Sequence, residues 1–72
     1  MNRQEHLQWA KDRALEYAQK GDIQNAFLSM QSDMSKHEEL ANHLALQMGT
    51  MLFMGGNLKT ESEITNWIIG FN

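Results

Sequence analysis

The chain contains no cysteine and no proline. Without cysteine there is neither a disulfide framework nor a thiolate metal site, and a secreted domain of this size ordinarily relies on such staples. Their absence points to a reducing, intracellular setting, with self-association as the remaining source of extra stability. Without proline no helical stretch is forcibly interrupted. Glycine occurs only at positions 21, 49, 55, 56 and 70, mainly between segments of helical period. Basic residues are also sparse: six against nine acidic ones leave a net charge of −3, which disfavours non-specific nucleic-acid binding, since that needs a dense basic surface. No apolar run approaches the roughly 18 residues of a membrane helix, and the polar start Met1-Asn2-Arg3-Gln4-Glu5-His6 has no signal-peptide core behind it. A single domain over residues 1–72 is expected, cytoplasmic and without a cofactor.

What is present is helical periodicity. Asn2 with Glu5 predicts a capping box opening a first helix from about Arg3 to Lys20, whose inner stripe is Leu7, Ala10, Ala14, Tyr17 and Ala18. Gly21 suits the left-handed position past a helix end and Asp22 the N-cap of the next helix. An antiparallel helical hairpin follows, its second arm running from Ile23 to about Met34. Ile23, Ala26, Phe27, Met30 and Met34 face inward there, with Gln24, Gln31 and Asp33 toward solvent. Ser35 with Glu38 predicts a third helix starting near Lys36, with Leu40, Ala41, Leu44, Met48, Met51 and Leu52 as its main stripe and Leu46 and Phe53 on the opposite side. Thr60 with Glu63 caps a short fourth helix carrying Ile64, Trp67, Ile68 and Phe71. The expected fold is all-α: a small bundle of three main helices plus a short C-terminal one.

The candidates for function are the residues this scheme leaves over. Trp9 lies nearly opposite the inner stripe of the first helix, with Arg13 one turn on to stack against its ring. Leu46 and Phe53 form a second apolar face of the third helix. Either these residues are covered within the chain, or Trp9, Arg13, Leu46 and Phe53 form an interface with a protein partner, where Trp and Arg are over-represented. The methionines at 30, 34, 48, 51 and 54 either fill the core or line an adaptable groove. Arg3, Lys11, Arg13 and Lys20 are the natural contacts for an anionic ligand held between subunits. His6, His37 and His43 lack the i, i+4 spacing that sets two histidines on one helix face to hold zinc. No nucleophile elbow, phosphate loop or diagnostic histidine–carboxylate pair is present. Asp12 and Glu16 read as surface partners of neighbouring cations. The chain therefore reads as non-enzymatic.

The turn Ala18…Gly21-Asp22…Ala26 resembles the middle of a tetratricopeptide repeat across residues 10 to 36, although no second copy follows and the repeat's closing proline is missing after Lys36. A broader resemblance rests on Arg3-Gln4-Glu5-His6-Leu7, Arg13-Ala14-Leu15-Glu16-Tyr17, Gly21-Asp22, Ser32-Asp33-Met34-Ser35-Lys36-His37-Glu38-Glu39, Met54-Gly55-Gly56-Asn57-Leu58 and Ile69-Gly70-Phe71-Asn72. Together these look like a family of small uncharacterised proteins of tailed bacteriophages. The resemblance implies a phage-encoded protein in the host cytoplasm. By analogy with small acidic phage proteins, it implies an accessory factor that inhibits a host protein, host-defence components included. The alternatives are a module binding an anionic nucleotide signal at a subunit interface, and a virion or assembly component. A homo-oligomer, most simply a dimer, is expected.

Overall fold

The first helix begins as the capping box dictates. The Asn2 side chain accepts from the Glu5 N–H at 2.8 Å, and the Glu5 carboxylate accepts from the Asn2 N–H at 3.2 Å. The computed structural model describes residues 2–72, and Met1 lies outside the described residues. Among them are four helices: α1 (Arg3–Gln19), α2 (Ile23–Ser35), α3 (Leu44–Met54) and α4 (Glu61–Ile69). α1 packs against both α2 and α4, and α2 also meets α4. Ala10, Ala14 and Ala18 are fully buried on α1; their short side chains let neighbouring backbones come close.

The turn between α1 and α2 closes on two backbone bonds. The Gly21 N–H donates to Ala18 O at 3.0 Å and the Asp22 N–H to Tyr17 O at 3.0 Å. That is the Schellman arrangement, and it requires the left-handed φ of +75° that Gly21 adopts. Asp22 then accepts from the Asn25 N–H at 3.3 Å as N-cap of α2. α2 runs back along α1, so that His6 near the start of α1 reaches the Asp33 carbonyl near the end of α2, at 2.6 Å.

α4 opens on its own capping box, with Glu63 accepting from the Thr60 N–H at 3.1 Å and Thr60 accepting from the Glu63 N–H at 3.1 Å. It buries Ile64 and Ile68, with Phe71 beyond its end. Its final turn is tied to α1. Lys11 donates to Ile69 O at 3.1 Å, and the Arg3 guanidinium donates to Asn72 O. Cations there satisfy carbonyls that lack helical partners and complement the negative end of the helix dipole. α3 is held by particular contacts: Phe53 stacks on Phe27 at 4.4 Å between centroids, Trp67 Nε1–H donates to Ala45 O at 3.2 Å, and Gln31 donates to Leu46 O and to Thr50.

Several expectations are corrected. The third helix does not start near Lys36: α2 continues through Ser35, turns occupy residues 36–43, and α3 begins at Leu44 with His43 as N-cap. Ser35 cannot serve as an N-cap because it is still inside α2, with a helical backbone, and its hydroxyl donates back to Gln31 O at 2.7 Å. Geometry also disfavours one straight helix. Leu40 and Leu46 are both buried, yet in a continuous helix they would lie about 120° apart at 100° per residue. The turns allow both into the core. Once freed from Leu40, α3 faces the other way round from expectation: Leu46, Gly49 and Phe53 point inward while Leu44, Met48 and Met51 point out. Tyr17 is 36% exposed, and Asp33, expected toward solvent, is buried.

Candidate functional site

Asp33 falls at the edge of α2's apolar stripe, one turn beyond Met30, and only 1% of its surface is exposed. A carboxylate in that position needs charged partners. Its Oδ2 lies 2.7 Å from Arg13 Nε and its Oδ1 3.2 Å from Lys36 Nζ, with Ser29 Oγ at 3.5 Å. These are the two ion pairs among the described residues, and no Glu16–Lys20 pair joins them. Fixed by Asp33, the two cations both lie against one aromatic ring. Arg13 Cζ sits 5.0 Å and Lys36 Nζ 5.7 Å from the Trp9 centroid, each within cation–π range. His6 lies against the same ring at 5.1 Å and against His37 at 5.2 Å.

Trp9 thus rests half-buried in a clasp built from α1 and the end of α2. Its stripe continues along α1 at spacings of four, three and four residues through Arg13, Glu16 and Lys20. Arg13, Glu16, Tyr17 and Lys20 line a depression of about 130 Å³. The surface offers two cations, one carboxylate and two aromatic rings, on a chain whose net charge is negative. Trp9 and Arg13 are brought together as the spacing predicts. Leu46 is not part of this surface, being 4% exposed in the core, and Phe53 is half-buried against Phe27.

A second surface lies on the outer side of α3. Leu44 is 66% exposed, Met48 50%, Met51 75% and Met54 82%, whereas Met30 and Met34 are fully buried. The methionines therefore divide between core and surface. No charged residue occurs between Leu44 and Met54. Met48, Met51, Leu52 and Asn57 border a concavity of about 260 Å³.

The four cations proposed for an anion do not converge. Arg3 and Lys11 hold carbonyls at the end of α4, Arg13 pairs with Asp33, and only Arg13 and Lys20 share a depression. Each histidine has a local partner. His6 Nε2–H donates to Asp33 O, His37 Nδ1 accepts from the Glu39 N–H at 3.1 Å, and His43 Nδ1 accepts from the Ala45 N–H at 3.1 Å. Among the described residues no group of three or more His, Asp or Glu is placed to hold a metal ion, and no helix is long and apolar enough to cross a membrane. Lys36, Asp33 and Tyr17 were not singled out by sequence. Asp33's place beside Met30 and Met34 was the available signal, since a carboxylate there demands cations. No protein-family model, curated protein or solved structure matches the chain.

Proposed function

We propose that the chain is a non-enzymatic phage accessory protein that binds and inhibits a host protein in the host cytoplasm, a host-defence component being the target class. In this reading the helices form a small bundle that serves as a scaffold, and the α1 stripe is the recognition surface. The observation that carries it is Trp9 with the Arg13 and Lys36 cations both within cation–π range of its ring and both fixed by Asp33. Interface energy concentrates in Trp and Arg side chains, and a ring already fixed before binding loses little freedom on docking. The phage origin rests on the sequence resemblance.

A second reading has its own observation. Tyr17, Arg13 and Lys20 share one depression, presenting two cations and an aromatic face to a phosphorylated nucleotide signal. Arg3 and Lys11 play no part in that version, being engaged with α4.

Affinity capture from host lysate, scored for bound proteins and for bound metabolites, separates the two. With a protein partner, Trp9→Ala abolishes capture while helicity persists, and Lys20→Glu, at the end of the stripe, weakens capture without abolishing it. With a nucleotide, Lys20→Glu abolishes metabolite retention; Lys20 makes no internal ion pair, so its loss leaves the fold intact. Retention of both capture activities in both variants would remove the α1 stripe from consideration.

A further inference from the structure

We infer that the outer face of α3 is the contact between two copies of this chain, paired about a two-fold axis. Leu44, Met48 and Met51 follow one another at spacings of four and three residues, with Gly55 four further on. That is the spacing of a helix-pairing seam, whose side chains seat between those of a facing helix. The concavity bordered by Met48, Met51, Leu52 and Asn57 is where such a side chain seats.

Chemistry selects a second copy over a transient partner. Non-obligate interfaces are about as polar as the remaining surface, whereas permanent homodimer contacts are more apolar and poor in charge. α3 carries no charge from Leu44 to Met54, so two copies meet there without like charges opposed, despite a net charge of −3 on each. Judged from their exposed fractions, Leu44, Met48, Met51 and Met54 present on the order of 500 Å² per copy, so pairing buries at most roughly 1,000 Å² in all, the lower threshold for a specific interface and less than an obligate dimer buries. The α1 stripe, with its exposed Arg13, Glu16 and Lys20, lacks this character and is left to a different partner. The α3 pairing stands independently of the proposed function.

Sedimentation velocity of the full chain across the micromolar range tests it. The expected mass is twice the 8.3 kDa of one chain. Met51→Glu should weaken association by about 100-fold or more, because it opposes two carboxylates in an apolar contact. Met51 is largely exposed in the single chain, so circular dichroism should report unchanged helicity. Mixing Met51→Glu with Met51→Lys chains should restore the dimer, and Trp9→Ala should leave it unaffected. A wild-type chain that sediments at its single-copy mass overturns the inference, as does a Met51→Glu chain that stays dimeric. A larger wild-type assembly supports it only if Met51→Glu halves its mass.

Discussion

Arg13 and Asp33 lie 2.7 Å apart, one cation half in solvent and one carboxylate almost wholly out of it. The pair connects α1 to the end of α2 and simultaneously sets the guanidinium over Trp9. Asp33 is therefore both a packing element and the organiser of the surface above it.

Asp33→Ala removes the acceptor for Arg13 and Lys36 together. Both cations can return to water, so the cost is limited to about 1.5–3 kcal/mol, the scale of hydrogen bonds to charged groups. Urea unfolding measures it. In a Trp67→Phe background the remaining Trp9 fluorescence should shift as the clasp opens, before any global transition.

Two glycine substitutions should fail for different reasons. A Cβ at Gly49 falls 2.7 Å from Trp67 Cε2 and 3.0 Å from its Nε1. Gly49→Ala therefore displaces the indole and breaks its bond to Ala45 O. Better helix propensity returns at most about 1 kcal/mol, against about 1–3 kcal/mol for overpacking, so the net effect is destabilising. Gly21 has no atom within 4 Å of the added Cβ, and Gly21→Ala costs only the left-handed conformation, about 1–2 kcal/mol. Thermal melts rank the two, and only Gly49→Ala should alter tryptophan fluorescence.

Leu46→Ala should behave as a core truncation, losing about 2–5 kcal/mol, because Leu46 is 4% exposed. Met54→Ala, at 82% exposure, should change the stability of the single chain by less than about 0.5 kcal/mol. Chemical denaturation of both variants in a Met51→Glu background keeps self-association out of the comparison.

The α4 cap should be sensitive to acid. Backbone N–H donation from Lys59, then from Thr60, holds the Glu63 carboxyl below its ordinary pKa. A carboxyl lowered in the folded state stabilises α4 above its unfolded pKa, and that stabilisation disappears as pH falls through the lower folded value. Glu63→Gln keeps an acceptor oxygen without titrating. Helicity followed through an acid titration should decline less steeply in that variant.

Three of the four local rules were legible in the chain, the Ser35–Glu38 box being the one that does not form. Asn2–Glu5, Gly21–Asp22 and Thr60–Glu63 each name their own partners within a few residues, and each forms as the spacing implies. α3 was not legible in the same way. Leu44, Met48 and Met51 on one side and Leu46 and Phe53 on the other are both apolar, so periodicity identifies a helix without saying which face turns inward. The deciding information is long-range: Phe27 for Phe53, Trp67 for Gly49. The surface clasp was half legible, since Trp9 and Arg13 are one turn apart, whereas Lys36 arrives only through the antiparallel return of α2.

The bonds from Lys11 to Ile69 and from Arg3 to Asn72 span 58 and 69 residues of chain. The α1–α2 hairpin, by contrast, closes across a two-bond turn. Loop closure costs less for the hairpin than for the bonds to α4, by about 2 kcal/mol, because that cost grows logarithmically with loop length. The order of events during folding follows from that difference. The hairpin is expected to form first and α4 to dock afterwards, so that loosening the Lys11 and Arg3 bonds should speed unfolding more than it slows folding, as stopped-flow measurements on Lys11→Ala would show.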